Sequence, residues 1–232
     1  MEVKLIAHTP EPEKVVAAAA RLCYSPKSGS DIMEGMTEAD VETFLTRLVS
    51  LGHTSPFEHA SFTFAIDGVS RALSHQLVRH RIGVSFSQKS QRYVKEKAFD
   101  FVIPDSIERN QALREKYLAI IDGLQENYNE LLSLGIAPED ARYILPNAAS
   151  TNLVVTMNGR SLLHFFELRC CTRAQWEIRK MAGLMLKEVQ SVAPHLFAGA
   201  GPTCISMGLC FEGDMCCGRT KNIVKRGKPV EK

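Results

Sequence analysis

The longest helical pattern in this chain runs from Glu108 to Leu134, and it limits the folds that the sequence can adopt. Apolar side chains recur there at every third or fourth position, and Gly135 follows the pattern directly. This spacing places the apolar side chains on one face of a helix. A second long helix is predicted from Ala174 to Val192, where Pro194 prevents it from continuing. Helices therefore account for a large part of the predicted fold.

Strand patterns are shorter and do not alternate regularly with the helices. Apolar residues alternate with small or polar ones between Phe62 and Ile66, and Leu153, Val155 and Met157 form a second strand face, which is typical of half-buried strands. Residues 1–8 and 99–103 also predict short strands. We therefore expect the α+β class, with residues 1–232 forming a single domain in which several helices pack on a mostly antiparallel sheet.

Capping and breaker residues predict the shorter elements. Thr37 is the expected N-cap of a helix that ends at Leu51, and residues 70–78 predict a helix that leads directly into Arg79. Residues 27–32 are rich in glycine and serine and predict a loop, whereas residues 83–93 predict an extended or looped segment. Further helices are predicted at residues 11–22, after Pro138, and at residues 159–168.

Composition excludes several classes of function. The 232 residues carry a formal net charge of +2, which is too small for nucleic acid or an acidic membrane to be the main partner. No run of about 18 apolar residues is present, and the first residues lack the apolar stretch of a secretory signal. We therefore expect a cytoplasmic protein in which any anion site comes from a local cluster of charge.

The seven cysteines are an odd number, and free thiols are expected for a chain without a secretion signal. Four of them lie in a C-terminal tail, which begins at about residue 199 and becomes basic from Lys221: Cys204, Cys210, Cys216 and Cys217. Their spacing does not match a C-x-x-C pair. A reduced, partly ordered tail is therefore favoured over a structural zinc site, which stays the alternative.

The segment from Arg79 to Arg92 carries four cationic side chains, one histidine, three serines and no acid. Like charges at this density repel one another unless an anion lies among them, and arginine and serine side chains suit phosphate oxygens. The alternative is a solvated basic loop, but Ile82 and Phe86 interrupt the cations and indicate a packed segment. Neither G-x-x-x-x-G-K-[ST] nor G-x-G-x-x-G is present, so side chains would have to hold a phosphate.

Further polar residues lie elsewhere in the chain. Arg160 and His164 are spaced to share one helix face. Arg169 and Arg142 each have apolar neighbours, so each is either paired in the interior or directed at a ligand. For the helix face with Arg160, His164 and Arg169, the alternative is a solvent-exposed face with an ion pair. A polar turn at residues 53–59 is a third candidate, although its histidines alone favour no function. Histidines at metal-motif spacing are absent from the sequence, and no metal site is predicted.

Taken together, these motifs resemble the flavin-dependent thymidylate synthases. Arg79-His80-Arg81, followed after a spacer by Ser90-Gln91-Arg92-Tyr93, is similar to the signature of that family. Four further stretches resemble the family in the same order along the chain: His53 to His59, Ala141 to Pro146, Asn158 to Ser161, and Leu168 to Ile178. The resemblance extends from about the first helix to Pro194.

Two features depart from the family pattern. The spacer between Arg81 and Ser90 holds eight residues, one more than the commoner length, so we place the insertion near Gly83 and take Ser90 as the matching serine. His164 stands where asparagine or another polar residue is expected, and its ring can still donate a hydrogen bond to a flavin.

The resemblance implies an enzyme, a methyltransferase that makes dTMP from dUMP in nucleotide biosynthesis. It implies methylene-tetrahydrofolate as the carbon donor, FAD as a cofactor that NADPH reduces, and a homotetramer whose active sites lie between subunits. Arg169 would be the catalytic residue, because a fixed guanidinium can stabilise charge that develops on the uracil ring.

By position, the resemblance assigns two sets of binding residues. The FAD-binding set is Ser55, Arg79, His80, Arg81, Gln88, Asn158, Arg160 and His164. The dUMP-binding set is Gln76, Arg79, Gln88, Ser90, Gln91, Arg92, Arg142 and Arg169. A cysteine nucleophile is not required, and Ser90 would orient the substrate instead of attacking it.

Two other functions stay open on the sequence. A flavin reductase without methyl transfer would need the FAD-binding set but not Arg142 and Arg169 together. An RNA-binding module would use the segment from Arg79 to Arg92, although the small net charge and the lack of an aromatic stacking pair count against it.

Overall fold

The computed structural model describes residues 1–96 and 98–224. Within them, four strands form one antiparallel sheet: β1 (Glu2–His8), β2 (Ser61–Ser70), β3 (Val84–Gln88) and β4 (Ser150–Asn158). The strand order is β1-β2-β4-β3, so β4 lies between two strands that precede it in the chain. Helices and one sheet together confirm the predicted α+β class.

The alternation of apolar residues in the two long strands is confirmed. Phe62, Phe64 and Ile66 of β2 are buried, as are Leu153, Val155 and Met157 of β4. On the opposite face, the hydroxyls of Thr63 and Thr156 are hydrogen-bonded at 2.9 Å. One face of these strands is therefore packed in the core, as a period of two residues requires.

The described part of the chain also contains ten α-helices. They are α1 (Pro12–Leu22), α2 (Gly29–Gly35), α3 (Glu38–Ser50), α4 (Arg71–Leu77), α5 (Asp105–Glu108), α6 (Gln111–Ser133), α7 (Pro138–Ala141), α8 (Gly159–Arg169), α9 (Trp176–Val192) and α10 (Thr203–Ser206). Short 3-10 turns lie at Ser55–His59, Arg142–Ile144 and Gly213–Met215. No helix of the described residues is both long and apolar enough to cross a membrane.

Several helix starts follow the capping rules. Thr37 caps α3, as the sequence predicted, and forms a capping box with Asp40. The predicted loop at residues 27–32 is wrong, because Ser28 accepts a hydrogen bond from the Asp31 N–H and begins α2. The predicted helix from Glu108 to Leu134 is divided, because Asn110 caps a new helix at Gln111. Ser28 and Asn110 thus begin helices that the composition of these segments did not predict.

Two further expectations differ in extent. Residues 99–103 form no regular strand; Phe101 makes a single antiparallel bridge to Ala149. The segment predicted as extended or looped contains β3. In the C-terminal tail, the backbone of Cys210 forms a parallel β-bridge with that of Ile223. This bridge joins two segments of the described part of the tail. The basic end of the tail, residues 225–232, lies outside the described residues.

The chain divides into two compact units. The first unit comprises residues 1–2, 66–79 and 86–154, and the second comprises residues 3–65, 80–85 and 155–232. In the first unit, Phe99, Ile121 and Ala149 form a small buried cluster. In the second, Phe62 and Phe166 each pack edge-on against Phe197. The single-domain expectation stays a prediction.

Candidate functional site

The predicted binding residues fall into both units. The first unit contains Gln76, Arg79, Gln88, Ser90, Gln91, Arg92 and Arg142. The second contains Ser55, His80, Arg81, Asn158, Arg160, His164 and Arg169. The expected dUMP-binding residues, apart from Arg169, are therefore concentrated in the first unit, and most of the expected FAD-binding residues in the second.

A cavity of about 280 Å³ lies in the first unit. It is lined by Arg71, His75, Gln91, Arg142, Tyr143, Leu145, Pro146 and Asn147. Helix α4 supplies Arg71 and His75 from successive turns, and Ser70 caps its start by accepting the Leu73 N–H. The start of α4 is also fixed by the backbone, because the Arg71 N–H donates to the Ala149 carbonyl.

The cavity is rich in hydrogen-bond donors. Burial and the nearby Arg142 guanidinium lower the pKa of Arg71, and Glu96 acts in the opposite direction. Gln91 is only 7% exposed, and among the described residues no partner is found for its Nε2 amide. Two cations and an unpartnered buried donor are costly without a ligand. The chemistry of this cavity, the anion cavity, therefore suits an anion with several acceptor oxygens.

Other predicted dUMP-binding residues have contacts of their own. Gln88 Nε2 donates to Ser74 Oγ and Thr151 Oγ1, both at 3.2 Å. Arg92 Nε donates to Glu139 Oε2 at 2.6 Å, and its backbone N–H donates to Ser90 Oγ. Of the predicted set, Gln91 and Arg142 line the cavity; its lining in the described residues does not include Gln76, Arg79, Gln88, Ser90 or Arg92.

In the second unit, Arg169 and His80 are in direct contact. Arg169 Nε donates to His80 Nε2 at 2.9 Å, and the His80 ring packs edge-on against Phe165 at 5.0 Å. Burial, together with the charge of Arg169 and the nearby His164, lowers the pKa of His80 to about 4. Burial also lowers the pKa of Arg169. The imidazole of His80 is therefore neutral at physiological pH.

The start of α8 holds the loop that contains Arg81. Asn158 caps α8 by accepting the Ser161 N–H at 2.8 Å, and its own N–H donates to the Gly83 carbonyl. Ser161 Oγ donates to the Ile82 carbonyl at 2.7 Å. Gly83 has a φ of 65°, a conformation that favours glycine. The loop after His80 is thus fixed against α8, while the Arg81 side chain stays exposed.

The 3-10 turn at Ser55–His59 also meets α8. Gly159 comes so close that a Cβ there would lie 2.9 Å from the Phe57 carbonyl oxygen. Arg160 Nη1 and Glu58 Oε1 are 2.6 Å apart in an exposed ion pair. Ser55 is exposed at the start of the turn. His164 is exposed on α8, with its ring centroid 6.5 Å from that of His80. This surface, the α8 face, combines cations with polar side chains and can bind phosphate groups.

Sequence reasoning missed some of the groups that the structure brings together. Arg71 and His75 line the anion cavity, yet Gln76 was the residue of their helix that the sequence analysis predicted to bind a ligand. Their spacing is the same as that of Arg160 and His164, and it could have marked them as one polar face. The partner of Arg160, Glu58, was noted only as part of a polar turn.

The cysteines form a separate cluster. Cys171, Cys204, Cys210, Cys216 and Cys217 line a small cavity of about 20 Å³. In the described residues, no group of three or more His, Cys, Asp or Glu side chains is arranged to hold a metal ion. Burial raises the pKa of Cys170 to about 11, with Arg219 acting against it. This thiol beside Arg169 is protonated at neutral pH and is a poor nucleophile.

Comparison with known proteins gives consistent results. Residues 4–195 match the family Thy1, described as thymidylate synthase complementing protein. A flavin-dependent thymidylate synthase of Clostridium tetani (strain Massachusetts / E88) is 48% identical, over 97% of this chain and 96% of the relative. One of Geobacter sulfurreducens (strain ATCC 51573 / DSM 12127 / PCA) is 49% identical, over 96% of each chain.

A solved structure is similar as well. It is the crystal structure of a UMP/dUMP methylase, PolB, from Streptomyces cacaoi bound with 5-Br dUMP. The TM-score is 0.73 and the sequence identity is 26%, over 85% of this chain and 93% of that one. The sequence comparison therefore finds flavin-dependent thymidylate synthases, and the structural comparison finds a UMP/dUMP methylase.

Proposed function

This chain belongs to the flavin-dependent thymidylate synthase family and is a methyltransferase, and we propose that it converts dUMP to dTMP with methylene-tetrahydrofolate as carbon donor. FAD reduced by NADPH is the proposed source of hydride. The observation that carries the proposal is the anion cavity of the first unit, with its two arginines and the unpartnered amide of Gln91. A cytoplasmic location stays a prediction.

The anion cavity is the proposed binding site for part of dUMP. Arg71 and Arg142 would bind phosphate oxygens, because guanidinium groups form charge-assisted hydrogen bonds with phosphate. The buried Nε2 of Gln91 would donate to a further oxygen of the nucleotide. Arg71 was absent from the predicted dUMP-binding set, and we add it on the basis of its position in the cavity.

The α8 face of the second unit is the proposed site for FAD. Its donors fit the cofactor, because the exposed guanidiniums of Arg81 and Arg160 suit a pyrophosphate and the Ser55 hydroxyl and His164 ring can bind other polar groups. His80 and Asn158 of the same unit belong to the proposed set, and Arg79 and Gln88 of the first unit stay predicted FAD-binding residues. FAD supplies hydride chemistry when it is bound, and the protein supplies its placement.

Arg169 is the proposed catalytic residue. The carbon of uracil that accepts the methyl group must become nucleophilic, and negative charge then develops on the ring oxygens and nitrogen. A guanidinium held in place by the protein stabilises such charge without reorganisation, and the loss of one such donor typically costs about 3–4 kcal/mol. We therefore expect Arg169→Ala to lower turnover by about 10²- to 10³-fold while FAD stays bound.

Product formation tests the proposal directly. The protein is incubated with dUMP tritiated at C5, methylene-tetrahydrofolate, NADPH and FAD. Release of tritium together with dTMP is the expected result. Oxidation of NADPH without either product would instead favour a flavin reductase, and a colourless protein that takes up no FAD but binds oligonucleotides in a salt-dependent way would favour an RNA-binding module.

The assembly is proposed to be a homotetramer with active sites between subunits. Light scattering on the purified protein measures the mass of the assembly. Co-expression of an Arg142→Ala chain with an Arg169→Ala chain tests whether sites are shared, because mixed assemblies regain intact sites only when the two residues come from different subunits. Turnover that stays at the level of the separate variants would contradict shared sites.

A further inference from the structure

The contact between His80 and Arg169 determines the protonation of the imidazole. An arginine side chain has donors and no acceptor, so His80 Nε2 must carry a lone pair when Arg169 Nε donates to it at 2.9 Å. The proton of the neutral ring is then on Nδ1. The edge-on packing of Phe165 at 5.0 Å limits the orientation of the ring.

The surroundings of His80 favour this neutral form. Burial, Arg169 and His164 all act to lower the pKa of His80, to about 4. His164 lies on α8, and Glu167 of the same helix is 3.7 Å from His164 Nδ1. The neighbouring residues along the chain, Arg79 and Arg81, are also cationic. The acceptor nitrogen therefore stays available to Arg169 throughout the physiological pH range.

We propose that His80 is a positioning residue, whose neutral imidazole holds the Arg169 guanidinium in one orientation toward the uracil ring. An arginine side chain has several rotatable bonds, and a fixed acceptor at Nε removes part of their freedom before substrate arrives. This inference rests on the proposed function, in which Arg169 contacts dUMP. It assigns to His80 a role in catalysis that acts through Arg169, in addition to any contact with FAD.

A double-mutant cycle in kcat tests whether His80 acts through Arg169. We expect His80→Ala to lower kcat by about 10²-fold, the typical cost of a misplaced group, with FAD affinity changed less than kcat. Combined with Arg169→Ala, it should lower kcat no further than Arg169→Ala alone. His80→Gln keeps an acceptor and should recover part of the loss, whereas His8→Ala, at an exposed histidine of β1, should leave kcat unchanged. Losses that multiply would overturn the proposal.

Nuclear magnetic resonance of 15N-labelled histidine gives a readout that does not depend on turnover. In the unsubstituted protein, the His80 ring should be the Nδ1–H tautomer and should titrate near pH 4. In Arg169→Met the charge and the donor are both removed, so the pKa of His80 should rise. An unchanged tautomer and pKa in Arg169→Met would overturn the inference. A protein that shows the expected shift but makes no dTMP would overturn the proposed function instead.

Discussion

At the scale of single residues, the anion cavity places two guanidinium groups where they repel each other. Removing the charge of Arg71 should therefore weaken ligand binding without weakening the fold. For Arg71→Met we expect the Kd for dUMP to rise about 10- to 100-fold, the cost of a lost charge-assisted hydrogen bond. The Tm of the protein without ligand should stay the same or rise, because the positive charge of Arg142 no longer opposes a neighbour.

Calorimetric titration with dUMP and thermal denaturation measure the two effects of Arg71→Met. Arg109→Met is the matched control, since Arg109 is an exposed arginine paired only loosely with Asp105 at 3.6 Å. Arg71→Met with unchanged dUMP affinity would show that the cavity does not bind the nucleotide.

The exposed ion pair of Glu58 and Arg160 competes with a phosphate for the same guanidinium. Such pairs contribute about 0–1 kcal/mol to stability, so FAD can displace Glu58 at little cost. We expect Glu58→Gln to tighten FAD binding by a few-fold, up to about 5-fold, with little change in Tm. Fluorescence titration with FAD measures this. Glu108→Gln removes a similar exposed partner from Arg114 and should have no effect; weaker FAD binding in Glu58→Gln would contradict the competition.

The sequence named residues that could bind ligands, but it did not show which of them lie together. Gln91 and Arg142 were predicted from their motifs, and the structure brings both to one cavity. The sequence could not show that Gln91 is buried with an unpartnered amide, because burial depends on residues distant in the chain. The same limit hid Arg71, which looked like an ordinary position near the start of a helix.

At the scale of elements, the start of α8 depends on a glycine in the loop that follows His80. A Cβ on Gly83 would lie 2.4 Å from Asn158 Nδ2 and 2.5 Å from Ser161 Oγ, and the φ of 65° disfavours other residues. We expect Gly83→Ala to lower the free energy of unfolding by about 1–3 kcal/mol and to weaken FAD binding, because Asn158 must move.

Chemical denaturation and FAD titration test Gly83→Ala. Gly52→Ala is the control, because Gly52 also has a positive φ, of 70°, but nothing lies within 4 Å of an added Cβ. The control should show only the backbone cost. If both variants bind FAD as the unsubstituted protein does, the contact between the loop and α8 does not position the cofactor site.

Helix boundaries were predictable where a cap and an apolar pattern agreed. Thr37 and the residues after it satisfied both conditions, and α3 begins as expected. Ser28 is also a cap, but the glycine and serine around it hid the short α2. At Asn110 the apolar pattern continued through a residue that caps a new helix. Where a capping residue and the apolar pattern disagree, tertiary packing decides where the helix begins.

At the scale of the whole molecule, the class was predictable and the strand order was not. Alternation in β2 and β4 required a sheet with one buried face, and the helical patterns required the α+β class. The placement of β4 between β2 and β3 joins segments that are far apart in sequence. No local pattern encodes that pairing, since it depends on which apolar faces can be buried together.

Two histidines of the second unit should give the stability of the whole chain opposite slopes with pH. The folded pKa of His80 is lowered to about 4, so the unfolded chain binds this proton first and stability falls as pH decreases from about 6.5 toward 4. Hydrogen bonding to Glu13, at 2.8 Å, raises the pKa of His195. Its contribution is complete below about pH 6.5 and is lost as pH rises above that value.

Thermal denaturation of the FAD-free protein between pH 4.5 and 8, values chosen to bracket about 6.5, separates the two effects. His80→Gln should flatten the decrease in Tm on the acid side. His195→Gln should flatten the smaller decrease on the alkaline side, since the His195 side chain is 38% exposed and solvent screens its pair with Glu13. His59→Gln changes an exposed histidine of the 3-10 turn and should leave both slopes unchanged. If the acid slope of His80→Gln is as steep as that of the unsubstituted protein, His80 contributes nothing to it. His80 would then have the same pKa in the folded and unfolded chains, which is incompatible with a buried imidazole that accepts a hydrogen bond from Arg169.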